Sequence, residues 1–190
     1  MKNIYIILIL FLSFTIYSCA KKSDTSSTTT TNTELEGAWV SSCHSAWSSY
    51  WIKTWTFTGS ALVVKWDEYS DSSCATDYAI WTDTYSSFSI GNEATLDNGS
   101  TGRKFTMKVD SLVASMQTAA AVTYYNNYVR CGDSDWALNT TKNYTGKTCG
   151  STDYAAANTN IYGVYKLDGS SLLINTDNIT SVGSTVFTKQ

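Results

Sequence analysis

Proline is absent from this chain of 190 residues, although about one residue in twenty is usual. Charge is scarce too, at 15% against roughly 25% in an average soluble domain, and histidine occurs once. Each shortage excludes something. Without proline or a glycine period the chain is no collagen-like fibre, and with so few charges it is no coiled coil. Lysine and arginine are scattered within a net charge of −3, which removes the usual electrostatic footprint of a nucleic-acid binder. A single histidine restricts general-base arrangements. What is plentiful is Ser and Thr, 54 together, with 13 Tyr, 7 Trp and 6 Phe. That many aromatics argue against a disordered chain. The length fits one domain with an appendage.

The appendage is N-terminal. Lys2 supplies a positive start, and residues 4–17 form an almost wholly apolar run. A spanning helix needs about 20 apolar residues, so residues 1–18 read as a signal peptide rather than an anchor. Ile16-Tyr17-Ser18-Cys19 resembles a bacterial lipobox, in which the cysteine becomes lipidated and N-terminal; Tyr17 is bulkier than the usual residue there. The resemblance implies three acyl chains on Cys19, and two or more suffice for stable membrane attachment. Residues 19–34 then form a lipidated, Ser/Thr-rich tether. Ala20 stands where an Asp would signal retention in the inner membrane of enteric-type bacteria, so the expected address is the cell envelope, at the outer membrane. Without the leader the chain carries 12 basic and 16 acidic side chains, so the lipid, not headgroup attraction, is the expected hold.

Four cysteines remain: Cys43, Cys74, Cys131 and Cys149. An even number in an exported domain implies two disulfides, with three possible connectivities. The pairing Cys43–Cys74 with Cys131–Cys149 brackets one local group of strands in each case. The competing zinc reading lacks any Cys-x-x-Cys, and His44 adjoins Cys43 rather than standing at ligand spacing, so no metal is expected.

Residues 35–190 read as all-β. In Arg103-Lys104-Phe105-Thr106-Met107-Lys108-Val109-Asp110, Phe105, Met107 and Val109 share one face, the period-two mark of a half-buried strand. Trp51, Trp55 and Phe57 share another face, and Leu62, Val64 and Trp66 a third, with Gly59-Ser60 as the hairpin turn between them. Further strands are expected at 78–90, 161–167, 172–174 and 185–189, with Asp168-Gly169 as a second hairpin turn. Residues 115–125 are ambiguous between helix and strand; Val122-Thr123-Tyr124-Tyr125 favours strand. About eight to ten strands without βα alternation predict a single antiparallel up-and-down barrel, with a β-sandwich as the alternative.

Gly37-Ala38-Trp39, at the start of the first expected strand, resembles the Gly-x-Trp signature of lipocalins, whose Trp packs across the closed end of an eight-stranded barrel. Thr152-Asp153-Tyr154 and Thr76-Asp77-Tyr78 each resemble that family's Thr-Asp-Tyr motif. The family's Arg over the Trp has no evident counterpart, with Arg130 and Lys189 as candidates. The chain is also similar to bacterial lipocalin-like lipoproteins in 35–39, 69–74, 131–136 and 161–167.

Catalytic signals are sparse. There is no Gly-x-Ser-x-Gly elbow to motivate a triad on His44, which reads as an exposed loop residue. Asp67, Glu68 and Asp71, like Asp133 and Asp135, lack EF-hand spacing and read as solvated turns. No phosphate-cradling or dinucleotide loop occurs, so no cofactor is expected. The inward faces Trp51/Trp55/Phe57, Leu62/Val64/Trp66 and Phe105/Met107/Val109 are the expected lining of a central volume. The expected role is binding rather than catalysis, by a monomer tethered through Cys19 and holding a small apolar ligand. Outward rings stacking on carbohydrate or a protein partner would instead make it an interaction module, such as an inhibitor or adhesin; a hydrolase is the third reading.

Overall fold

A computed structural model describes residues 34–190; the leader, Cys19 and the tether to residue 33 lie outside the described residues. Twelve strands follow in order: β1 (Gly37–Ser41), β2 (His44–Ala46), β3 (Ser49–Thr58), β4 (Ala61–Tyr69), β5 (Asp77–Thr95), β6 (Thr101–Met116), β7 (Thr141–Asn143), β8 (Thr148–Cys149), β9 (Thr152–Asp153), β10 (Asn160–Asp168), β11 (Ser171–Asn175) and β12 (Phe187–Lys189). Between β6 and β7 lie helix α1 (Ala119–Asn127) and a 3-10 turn at Arg130–Gly132.

The strands β1, β3, β4, β5, β6, β10, β11 and β12 pair in that order, all antiparallel. β12 then returns to β1, so the sheet closes as an up-and-down barrel. Trp39 sits at the seam, opposite Lys189 on one side and Trp55 on the other. Closure leaves no long unpaired edge, which suits a chain with no proline to guard one. β2 extends β3, β7 extends β6, and β8–β9 form a separate hairpin.

Two Gly-Ser turns set the hairpin registers. Thr58 pairs with Ala61 and Asp168 with Ser171, so each loop has two central residues, Gly59-Ser60 and Gly169-Ser170. The second lies one residue beyond the expected Asp168-Gly169. Both glycines have positive φ while the serines do not, the pattern of a type II′ turn that follows strand twist.

The segment at 115–125 departs from the expected strand. β6 ends at Met116, whose partner Ala79 lies near the start of β5, so further extension would have little ladder to join. Thr118 accepts the Ala121 N–H at 3.1 Å through Oγ1, capping a helix that starts with three alanines, the strongest helix formers. That cap outweighs the β propensity of residues 122–125.

One end of the barrel is solid. Leu35, Trp39, Phe57, Leu62, Val64, Phe88, Phe105, Met107, Leu172 and Phe187 pack there. The Phe57 and Phe88 rings lie 5.0 Å apart and Phe88 and Phe105 5.4 Å apart. Gly163 faces Phe105 across the ladder, and a Cβ on it would come within 2.2 Å of that ring. Trp39 donates its indole N–H to the Leu35 carbonyl at 2.8 Å, and Lys189 Nζ lies 5.4 Å from its ring centroid. Glu34, reckoned with the tether, accepts from Arg103 at 2.7 Å and from the Tyr165 hydroxyl, so it is tied to the barrel.

The other end is built differently. Residues 117–159, between β6 and β10, pack Ala121, Tyr125, Cys131, Trp136, Tyr144 and Cys149 against Leu112, Ala114 and Met116. The disulfide Cys131–Cys149 lies within this excursion, and Cys43–Cys74 ties the β1–β2 link to the β4–β5 link. Both bridges have the bracketing connectivity. Such bridges persist in oxidising compartments outside the cytoplasm. Among the described residues no helix is long and apolar enough to cross a membrane.

Candidate functional site: an aromatic cup with charged walls

Above the solid end the barrel holds a cavity of about 900 Å³, within the 300–1,000 Å³ range of small-molecule sites. Cross-strand rows of inward side chains build its wall. Trp55 and Asp83 flank the packed Val64 in the lowest row, Lys53, Trp66 and Trp81 form the next, and Trp51 and Glu68 the one above, beside the buried Ala79. Tyr124, Tyr125, Arg130, Tyr144 and Tyr154 enter from the excursion, and Asn175 to Asp177 from the end of β11. Trp47 stands at the rim, 78% exposed. A neighbouring hollow of about 650 Å³ shares Trp47, Trp51, Lys53, Trp66 and Ile174 with the cup and extends to His44 and Phe187.

Aromatic contacts brace the wall. Trp51 meets Trp47 and Trp66 edge-on, with centroids 5.9 and 6.3 Å away. Trp81 meets Tyr144 at 5.0 Å and Tyr125 at 5.9 Å, and Tyr144 meets Tyr154 at 4.7 Å. Edge-on ring pairs at such spacings are favourable beyond their buried area.

The cup is also charged. Glu68, 6% exposed, accepts from Ser49 Oγ at 2.8 Å and from Trp81 Nε1 at 3.4 Å. Burial raises its pKa, against the pull of those two donors. Asp83 accepts from the Tyr144 hydroxyl, and burial raises its pKa too, opposed by that bond and by Lys53. Tyr144 in turn is held protonated, by burial first and then by the neighbouring Asp83 charge.

Lys53 is the outlier of the group. Its Nζ lies 3.5 Å from the centroid of the Trp66 ring and 4.5 Å from that of Trp55. Desolvation lowers its pKa from 10.5 to about 7, although Asp83 and Asp177 act in the other direction. No acceptor bonds to Nζ and no carboxylate pairs with it among the described residues. The indole N–H of Trp55 is buried beside it with no acceptor either.

The expected lining residues divide by depth. Trp51, Trp55 and Trp66 face the cavity. Phe57, Leu62, Val64, Phe105 and Met107 belong to the solid end, and Val109 to the cluster under the excursion. All are inward, but those six fill the barrel rather than line its space. Lys53 and Asp83 went unassigned at the sequence level and Glu68 was read as a solvated turn, although the signal of all three was present. Lys53 sits in step with Trp51, Trp55 and Phe57, Glu68 with Leu62, Val64 and Trp66, and Asp83 with Trp81. A charge on the inward parity of an apolar strand marks a group that the interior must accommodate.

The acidic residues read as solvated turns also separate. Asp67 pairs with Lys65 at 2.7 Å, Glu68 turns inward, and Asp71 folds the β4–β5 loop by accepting from Ser73, Ala75 and Thr76. For Glu68 the turn reading is therefore replaced by a buried wall position, a consequence of its even parity on β4. Asp133 and Asp135 pair with Lys147 and Lys142. His44 lies in β2 opposite Trp51 rather than in a loop, with Nδ1 3.0 Å from the Ser42 carbonyl oxygen. No protein-family model matches the chain, and no curated protein matches its sequence.

Proposed function

We propose that this chain is a lipid-anchored cell-envelope binding protein that holds a small ligand inside its barrel. One observation carries the reading: the closed barrel is packed at one end and hollow at the other, with about 900 Å³ lined by aromatic rings. A barrel whose sole task was to scaffold outer loops gains nothing from such a space, because unfilled interior forfeits dispersion contacts. The expected apolar ligand becomes an amphiphilic one, since Lys53, Glu68 and Asp83 stand among the rings. The lipocalin resemblance draws support from Trp39 at the seam with Lys189 over its ring. The lipid anchor rests on the lipobox-like segment ending at Cys19, in keeping with a disulfide-bonded domain.

Native mass spectrometry of the protein purified from its own envelope tests the binding reading, with a melting-temperature screen against small amphiphiles beside it. The expected result is a retained small molecule or a ligand-dependent rise in Tm. No retained mass and no shift with any amphiphile would overturn it. Labelled fatty acid should enter the wild-type chain and not Cys19→Ser; equal labelling of both would remove the anchor. The interaction-module reading keeps one observation in its favour. Trp47, Tyr124 and Tyr128 are exposed, and Tyr124 and Tyr128 pack against each other at 4.7 Å.

A further inference from the structure

Most charged groups around the cup have partners within the protein. Glu68 has Ser49 and Trp81, and Asp83 has Tyr144. Arg130 lies over the Tyr124 and Tyr125 rings, at 5.8 and 6.0 Å. Lys53 shares with Arg130 the lack of an acceptor among the described residues, but it stands one row above the floor and its ammonium rests far closer to ring faces, 3.5 Å from the Trp66 centroid. An ammonium has three donors, and ring faces replace only part of the lost hydration. Evolution of a mere filler at this inward position would favour Met or Leu, which carry no desolvation cost. The missing partner is an acceptor that arrives from the cavity. Building on the binding function proposed above, we infer that the cup is specific for small flat carboxylates, with the ligand carboxylate accepting from Lys53 Nζ and its ring system lying against Trp51 and Trp66.

Charge considerations point the same way. Of the three carboxylates that line the cavity, Glu68 and Asp83 are both biased by burial toward their neutral forms, which lowers their repulsion of an incoming anion, and the third, Asp177, follows the end of β11. A ligand carboxylate also restores the charged state of Lys53, so binding takes up a proton where the free amine is neutral. The titratable and charged groups that share the two hollows with Lys53 include Glu68 on β4, Asp83 on β5, Arg130, Tyr144 and Tyr154 from the excursion, Asp177 after β11, and His44 across the second hollow.

The test uses the full-length protein and three probes with one ring system: 2-naphthylacetate, 2-naphthaleneethanol and 2-naphthylethylamine. Binding is read by tryptophan fluorescence and calorimetry. The carboxylate is expected to bind about tenfold or more tighter than the alcohol, the size of one charge-assisted hydrogen bond. Lys53→Met should erase that preference, and Lys53→Arg should restore most of it. Affinity for the carboxylate should fall as pH rises from 6 to 9 in the wild type, with a flat profile for the alcohol. If the alcohol binds as well as the carboxylate, or Lys53→Met keeps the preference, the carboxylate specificity is wrong and the binding cup stands. A preference for the amine would assign recognition to Glu68 and Asp83 instead. Binding of none of the three would count against the cup itself as well as its specificity.

Discussion

The two ends of the barrel are made by the same strands under the same alternation, yet one is filled and the other hollow. β3 contributes Phe57 to the filled end and Trp51 and Lys53 to the hollow one. β4 contributes Leu62 below and Trp66 and Glu68 above. At the filled end each inward side chain meets another across a narrow waist, as Phe57, Phe88 and Phe105 do. At the hollow end β6 leaves β10 and pairs with β7, and the excursion of 117–159 holds the wall apart. Packing a waist needs only apolar volume. Keeping a mouth open needs rings that brace one another and a disulfide-tied flank.

That contrast can be broken where it is strongest. Phe57→Ala should cost about 3–5 kcal/mol, the usual cost of removing a buried Phe side chain, measured by urea denaturation. Trp66→Ala in the cup wall should cost clearly less, because part of its surface already faces open space. Equal costs would mean that the hollow end is not hollow in solution.

Cutting Cys131–Cys149, whose cysteines are 18 residues apart, by serine substitution should cost about 3 kcal/mol through the freed loop entropy of the unfolded chain. The loss should be local. Hydrogen exchange is expected to speed up in 117–159 and to stay slow in β1, β3 and β4, whereas a uniform rise across the barrel would make the two ends one cooperative unit. Gly163→Ala comes next, at about 1–3 kcal/mol for overpacking, because its Cβ meets Phe105 at the filled end.

A further prediction concerns pH and has the opposite sign. Lys53 has its pKa lowered from 10.5 to about 7 in the fold. As pH falls from 10.5 toward 7, the unfolded chain takes up a proton that the folded one does not, so folding weakens through that window and levels off below it. The slope is at most about 1.4 kcal/mol per pH unit. Lys53→Met should flatten this slope and make the protein more stable at pH 7, while reducing carboxylate binding. Equilibrium denaturation at pH 7, 8 and 9 checks it; an unchanged slope in Lys53→Met would show that the amine is hydrated in the folded state. Trp55→Phe should change stability least for its size, because it also removes a buried N–H that has no acceptor.

Much of the filled end was legible beforehand because period two is a local property. Phe105, Met107 and Val109, or Leu62 and Val64, can be assigned a face from four or five neighbours, and burial of that face then follows for any closed sheet. The disulfide pairing was legible for the same reason, since each bridge joins neighbouring links. In the ambiguous segment 115–125 the lean toward strand failed beyond Met116, because a cap and three alanines compete there with β-branched and aromatic residues of similar strength. What settled the matter was the end of the ladder at Ala79 and Met116. The cup was half legible. Trp51, Trp55 and Trp66 were read from their faces, whereas Glu68 was read as a solvated turn and Lys53 and Asp83 were given no role despite lying on inward faces.

By itself, the sequence determined the alternation of apolar and polar residues, the turn regions to within a residue and the even set of cysteines in the folded part. These are short-range facts, encoded within a turn or two of chain. Only the tertiary structure decided which inward residues meet a partner and which meet empty space. That outcome depends on where β6 parts from β10 and on where a remote excursion docks, and no local window contains both.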